Sequence, residues 1–76
     1  MREYDCVKVI ELLQSNRPYQ GAASVMRPLS VGDIGAVVYV YSVQSEAVGY
    51  IVESVNEEGN TVWLADFLPD EIAPVS

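Results

Sequence analysis

The longest uncharged run of strand-favouring residues covers positions 34–41. β-Branched and aromatic residues dominate it, and both classes favour strands. Because polar residues do not alternate with apolar ones, we expect a strand covered on much of both faces. Gly32 and Gly35 stand at its start, and glycine can adopt the positive φ that a sharp turn requires. The pattern predicts a tight turn leading into a bent central strand.

Two further strands are predicted after the central one. Positions 47–55 alternate, with one face formed by Tyr50, Val52 and Ser54 and the other by Ile51, Glu53 and Val55. Gly49 within this segment predicts a bulge or bend. Residues 56–60 predict a hairpin with Gly59 in the left-handed position, so that 61–66 returns as the next strand.

The first apolar segment, residues 5–13, is ambiguous. Two patterns fit it: a strand with Cys6, Ile10 and Leu12 on one face, or a helix lined by Cys6, Val9, Ile10 and Leu13. Lys8 interrupts the alternation. The β-branched content and the strands downstream favour the strand.

The C-terminal residues predict a turn and a short strand. Residues 67–71 contain Pro69 and are typical of one 3₁₀ turn. Residues 72–75 then form a last strand at a sheet edge, where Pro74 is tolerated.

Residues 14–28 predict a long connection, because Pro18, Gly21 and Pro28 prevent a regular element. Structureless connections of this length are uncommon in small domains and are often functional. This one carries half of the positive charge and two side chains expected to be exposed, Tyr19 and Met26. Two hypotheses stay open: a recognition element, or a tolerated surface insertion.

Together these elements predict an all-β fold: a small five-stranded SH3-like barrel with a long first loop and a 3₁₀ turn before the last strand. The 76 residues allow one domain, spanning 1–76. A chain of this size buries only about 60% of the surface that it exposes when unfolded. We therefore expect modest stability, or stability increased by association.

Several stretches, taken in order, resemble a small bacterial family, the domain of unknown function 4926. They are residues 5–13, 29–38, 50–53, 58–61 and 68–75. The resemblance implies an SH3-like fold and no activity or functional residues. The chain departs from the family in its longer 14–28 loop, which puts a shared binding surface in doubt. It also has Ser54 where a large apolar residue is expected, which indicates a locally altered core.

Charge is the sharpest overall property of the sequence. Eleven acids face four bases, giving a net charge of −7. From Pro28 to the end there are eight acids and no base. Such a surface repels phosphate backbones and anionic lipids, which disfavours nucleic-acid and membrane binding and favours a basic protein partner. The alternative is that the charge only keeps a small domain soluble.

The residue types argue against catalysis and against a cofactor or metal. Histidine is absent, which removes the usual general base and the commonest transition-metal ligand. Cys6 is expected to be a buried, inert thiol. The acid pairs 57–58 and 70–71 lack the spacing of a calcium loop and are interpreted as solvated turns. Asp33, beside two glycines but without a following Lys-Ser/Thr, is interpreted as a turn residue.

Location is predicted from what the chain lacks. No apolar run approaches the roughly 20 residues of a membrane span, and no basic-then-apolar leader opens the sequence. A single cysteine agrees with a reducing compartment. We therefore expect a soluble, cytoplasmic protein.

These observations predict a non-catalytic module that binds another, basic protein as an accessory or neutralising partner. Two alternatives remain, a homo-oligomeric structural module and a barrel that binds a small ligand or proline-rich peptide. Aromatic residues on neighbouring strands would supply shape, although core packing is the more frequent role for each, and Trp63 is the strongest candidate for a groove. The candidate partner-binding residues are Arg17, Tyr19, Met26, Arg27, Tyr39, Tyr41 and Trp63.

Overall fold

A computed structural model describes residues 1–14, 17–43 and 47–75. The strands are β1 (Cys6–Val9), β2 (Ile34–Val43), β3 (Ala47–Val55), β4 (Thr61–Phe67) and β5 (Ile72–Pro74), with a 3₁₀ helix at Pro69–Glu71. They form one antiparallel sheet in the order β4-β3-β2-β1-β5. The predicted all-β fold, with five strands, a long first connection and a 3₁₀ turn before the last strand, is confirmed. The polar connection predicted between β2 and β3 includes residues 44–46, which lie outside the described residues.

One face of the sheet forms the core. Its fully buried side chains include Val7, Val37, Val52, Trp63 and Phe67. The predicted face of β3 is confirmed, since Tyr50, Val52 and Ser54 are all buried. Ser54 fits there because its hydroxyl donates a hydrogen bond of 2.8 Å to the carbonyl oxygen of Ile34. The altered core expected at this position is therefore a satisfied polar contact.

The face predicted for β1 is wrong. Val7 and Val9 are buried, whereas Cys6 is exposed and Ile10 lies beyond the end of the strand, 48% exposed. Lys8 does not interrupt the pattern, because it shares the outer face with Cys6. The thiol of Cys6 is consequently exposed, and the prediction that it is buried is wrong.

The two glycines near the start of β2 have different roles. Gly32 has a φ of +100° in the turn before the strand, as predicted. Gly35 lies within the strand without a positive φ, and a Cβ there would stand 2.7 Å from Cγ1 of Val52 and 2.8 Å from the carbonyl oxygen of Glu53. Close packing against β3 therefore requires this glycine. The prediction that much of both faces of β2 is covered is only partly correct, since Ile34 is 49% exposed and Tyr39 is 53% exposed.

Gly49 does not form the predicted bulge. It lies in register opposite Tyr41, whose ring occupies the space that a Cβ would need. The register shifts instead between Val37 and Tyr39 on β2, where a bulge bends the strand.

The β3–β4 hairpin is confirmed. Gly59 has a φ of +85°. The side-chain oxygen of Asn56 accepts hydrogen bonds from the backbone N–H groups of Glu58 and Asn60, at 3.0 and 2.9 Å. This Asx turn is a local feature, which explains why the sequence pattern found it.

The long first connection covers the outer edge of β4. Gln20 and Leu64 exchange backbone hydrogen bonds of 3.0 and 2.7 Å, and the N–H of Ala22 donates to the carbonyl oxygen of Thr61 at 2.9 Å. An uncovered edge strand is a site for unwanted pairing. The described part of this loop thus protects the sheet, and residues 15–16 lie outside the described residues.

Candidate functional site

The face of the sheet opposite the core carries aromatic, aliphatic and acidic side chains in two rows. Tyr39, Ile51 and Asp66 lie opposite one another across β2, β3 and β4. Ala36, Glu53 and Leu64 form the neighbouring row. Directly opposed residues share a face of a sheet, so these side chains make one continuous surface. We call the surface formed by Tyr19, Tyr39, Tyr41, Ile51, Glu53, Leu64 and Asp66 the outer patch.

Two tyrosines project from the β2 part of the outer patch. The rings of Tyr39 and Tyr41 stack with centroids 6.3 Å apart and an interplanar angle of 21°. Tyr39 is 53% exposed although it is large and apolar. Tyrosine offers contact area at low entropic cost, which makes exposed rings of this kind suitable for binding another protein.

A cleft of about 260 Å³ opens where the long loop meets the outer patch. Its lining consists of Pro18, Tyr19, Gln20, Ile51, Leu64, Ala65 and Asp66. The hydrogen bonds between Gln20 and Leu64 hold the loop beside the sheet and so fix the width of the cleft. Apolar walls and one carboxylate thus meet in a single concave site.

The outer patch is electrostatically negative. Glu53 and Asp66 contribute carboxylates, and β2, β3 and β4 contain no lysine or arginine. Burial, and next the negative charge of Asp66, raise the pKa of Tyr41. The charge of Asp66 therefore acts on Tyr41 within the outer patch.

The two arginines of the long loop are engaged within the protein. Arg17 pairs with Glu71, and the side chains are only 5% and 0% exposed. Arg27 donates two hydrogen bonds to the carboxylate of Asp33, at 2.9 and 3.1 Å. Neither guanidinium therefore offsets the negative charge of the outer patch.

Asp33 links the turn before β2 to the core. Its Oδ2 accepts hydrogen bonds of 2.9 Å from the indole N–H of Trp63 and from the backbone N–H of Ser30. Burial alone would raise the pKa of Asp33, but hydrogen bonds from Arg27, Ser30 and Trp63 outweigh it and hold the pKa below its usual value. Asp33 is a turn residue, as the sequence indicated, and it also orients the largest core side chain.

Three of the seven predicted partner-binding residues belong to the outer patch: Tyr39 and Tyr41 stack on each other, and Tyr19 lines the cleft while packing partly against the core. Met26 is 46% exposed and follows the turn at residues 23–25; its side chain lies against Gly21 and is not part of the lining of the cleft. Arg27 lies beside it, engaged with Asp33.

Two of the predicted partner-binding residues have buried side chains. Arg17 is covered because its guanidinium pairs with Glu71 and lies 4.6 Å from the ring centroid of Phe67. Trp63 is fully buried because it packs against Phe67 in the core and binds Asp33. Neither side chain is available to a partner in this structure, and the groove-forming role suggested for Trp63 is wrong.

Sequence reasoning missed Ile51, Leu64 and Asp66 as site residues. For Ile51 the sequence did contain an indication, because alternation along β3 placed Ile51 and Glu53 on one face. The register that sets Asp66 opposite Ile51 depends on a shift between Ser54 and Val55, which no local pattern reveals.

The interpretation of the two acid pairs as solvated turns is wrong for one of their four residues. Glu57, Glu58 and Asp70 are exposed, whereas Glu71 is fully buried. Within the described residues, no group of three or more Cys, Asp or Glu side chains is placed to hold a metal ion. Over the same residues, no helix is long and apolar enough to cross a membrane.

Comparison with known families agrees with the resemblance seen in the sequence. The model of a family described as a domain of unknown function, DUF4926, matches residues 3–74. The chain belongs to this family. The DUF4926 match spans all five strands, from before β1 to the end of β5. No curated protein and no solved structure matches the chain.

Proposed function

We propose that this DUF4926 chain is a non-catalytic module that binds another protein of basic surface through the outer patch. The observation that carries the proposal is the row of Tyr39, Ile51 and Asp66, which places an exposed ring, an aliphatic side chain and a carboxylate side by side. Aromatic anchors with a charged rim are the usual composition of protein interfaces.

Charge supports the choice of partner. Two of the four bases are engaged, Arg17 with Glu71 and Arg27 with Asp33, while Glu53 and Asp66 remain on the outer patch. A negative surface steers the approach of a positive one and disfavours acidic competitors. A basic partner therefore gains in both association rate and specificity.

The sheet edges support binding at a face rather than at an edge. The Gln20 and Ala22 contacts cover β4, and β5 is only three residues long and ends in Pro74. Short edges and proline discourage the addition of another strand.

Fold and location complete the proposal. The strand order, with β1 between β2 and β5, supports an SH3-like barrel. The lone cysteine, Cys6, is exposed and free, which supports a reducing, cytoplasmic setting.

Affinity capture with matched variants tests the proposal. The double variant Tyr39→Ala, Asp66→Asn removes a ring and a charge from the outer patch. The control Val31→Ala, Asp70→Asn removes an exposed apolar side chain and a charge elsewhere. Tagged wild type, test variant and control are incubated with lysate of the source cells at low and high salt.

We expect the wild type and the control to retain one basic protein in stoichiometric amount at low salt. The test variant should lose it, and so should the wild type near 1 M salt, where charges are screened beyond about 3 Å. Equal capture by the test variant, or recovery of the bait alone, contradicts the proposal.

Self-association is a second candidate. It is favoured by half-exposed apolar side chains outside the outer patch, among them Ile10, Leu13 and Val31. If these residues form an interface, the melting temperature rises with protein concentration. A melting temperature that is constant over a hundredfold range of concentration eliminates this candidate.

A further inference from the structure

We propose that the cleft beside Asp66 receives a single arginine side chain of the basic partner. This inference rests on the proposed function and specifies which group of the partner is recognised. Its basis is that apolar walls, the ring of Tyr19 and one carboxylate that forms no salt bridge within the described residues meet in one small cleft.

The size of the cleft argues for one side chain. This cleft measures about 260 Å³, just below the range of about 300–1,000 Å³ of small-molecule sites, so its occupant is no larger than a small ligand or one side chain. It is open to solvent at the sheet surface and is bounded by the loop on the other side. A side chain projecting from a partner's surface can enter such a space without the partner's backbone doing so.

The walls match the two parts of an arginine. Ile51 and Leu64 provide aliphatic surface for the methylene stem. Tyr19 lies in the same lining, and aromatic faces attract a guanidinium. Lysine shares the charge of arginine but lacks the planar group that stacks on a ring and binds a carboxylate through two hydrogen bonds.

The carboxylate of Asp66 is exposed and available. Within residues 1–14, 17–43 and 47–75, which include every lysine and arginine, it forms no salt bridge. Its charge contributes, after burial, to the raised pKa of Tyr41. An arginine bound at Asp66 would therefore gain a charged hydrogen bond without first breaking one.

A capped tripeptide, acetyl-Gly-Arg-Gly-amide, probes the cleft in the intact chain. The comparison peptide carries citrulline, which keeps the shape of arginine and removes its charge. Backbone ¹⁵N–¹H NMR spectra follow each titration for the wild type and for the matched variants Asp66→Asn and Asp70→Asn. Both substituted side chains are exposed, so unchanged spectral dispersion serves as the check on folding.

We expect saturable shifts at Gln20, Leu64, Ala65 and residue 66 with the arginine peptide. Asp66→Asn and the citrulline peptide should each weaken binding at least about tenfold, because each removes one charge of the guanidinium–carboxylate pair, while Asp70→Asn changes nothing. Equal shifts with both peptides, shifts centred on residues 57–59, or an unchanged affinity of Asp66→Asn would overturn the inference.

These outcomes are separate from the test of the proposed function. If the arginine peptide fails to bind at the cleft but the captured partner still depends on the outer patch, the proposed function stands and only this inference fails. If the arginine peptide binds at Asp66 but the test variant captures the partner as well as the wild type does, only the proposed function fails.

Discussion

Arg17 and Glu71, 54 residues apart in sequence, form a buried ion pair that ties the long loop to the 3₁₀ helix. The Glu71 carboxylate also accepts hydrogen bonds from the backbone N–H groups of Leu13, at 2.8 Å, and Leu68, at 2.7 Å. Three chain segments therefore meet at one side chain. Because Pro18 and Tyr19 follow Arg17 directly, the same pair positions one wall of the cleft.

Replacing Glu71 by Gln should destabilise the fold strongly. Glutamine keeps the volume but leaves the guanidinium of Arg17 buried without its counter-charge. Removing one partner of a buried pair costs about 3–5 kcal/mol, a large part of the stability of a small domain. Urea unfolding followed by circular dichroism measures the loss.

The neighbouring Asp70→Asn is the matched control for this change. Asp70 is exposed, so its loss should change the free energy of unfolding by no more than about 0.5 kcal/mol. Similar values for the two variants would show that the ion pair does not stabilise the fold.

Stability should fall on acidification. Burial would raise the pKa of Glu71, but hydrogen bonds from Leu68, Arg17 and Leu13 outweigh it and hold the pKa below its usual value, as happens at Asp33. Unfolded carboxylates titrate near pH 4, at about 3.9 for Asp and 4.3 for Glu. The stabilisation is therefore complete above that range and is lost as the pH falls through the lower folded-state pKa values.

Urea midpoints between pH 7 and pH 3 check this dependence. The wild type should lose stability below about pH 4, and Glu71→Gln should show a shallower loss. A wild-type midpoint that rises on acidification would mean that relief of the net charge of −7 outweighs both carboxylates.

Substitutions at Asp33 and at Arg27 should show that the contact of Asp33 with Trp63 stabilises the fold more than its contact with Arg27. Asp33→Ala leaves the buried indole N–H without an acceptor, which costs about 1–3 kcal/mol. Arg27→Ala removes a half-exposed ion pair, which contributes about 0–1 kcal/mol. Unfolding monitored by Trp63 fluorescence gives both values, and a loss from Arg27→Ala as large as from Asp33→Ala would contradict this ranking.

Two glycine substitutions should differ in cost. At Gly35 an added methyl group meets Val52 and the backbone oxygen of Glu53. Because that oxygen is part of the main chain of β3 and cannot move by itself, Gly35→Ala should lower the free energy of unfolding by about 1–3 kcal/mol. At Gly49 the obstacle is the ring of Tyr41, the end of a side chain that can rotate away. Gly49→Ala should therefore cost less in urea unfolding while shifting the Tyr41 ring signals in NMR, and the reverse order of stability would be unexpected.

The sequence predicted those parts of the fold that depend on local patterns. β3 was predicted within its observed bounds, and the hairpin at Gly59 and the 3₁₀ turn at Pro69 were also found, because alternation and turn chemistry act over a few residues. The face predicted for β1 is wrong because the prediction rests on Cys6, Ile10 and Leu12, of which Ile10 and Leu12 lie beyond the end of the strand. Val7 and Val9 are only two positions in a segment of nine residues, so their alternation alone does not indicate which face is buried.

The candidate site was harder to predict because it depends on contacts between distant segments. The burial of Arg17, Trp63 and Glu71 follows from long-range partners, and each of these side chains is of a type that is also found at surfaces. Tyr19 could be singled out from loop composition. Its proximity to Asp66 requires the bridge between Gln20 and Leu64, which joins the loop to β4.

The central claim is that the outer patch binds the basic partner, and carboxylate labelling of the captured complex tests it most directly. Carbodiimide and glycine ethyl ester modify exposed carboxylates, and mass spectrometry gives the rate at each site with and without the partner. The account predicts that the partner slows labelling of Asp66 and Glu53, while Glu57, Glu58 and Asp70, exposed elsewhere, react unchanged. Protection of Glu57 and Glu58 with undiminished labelling of Asp66 would place the partner on the hairpin and contradict the claim.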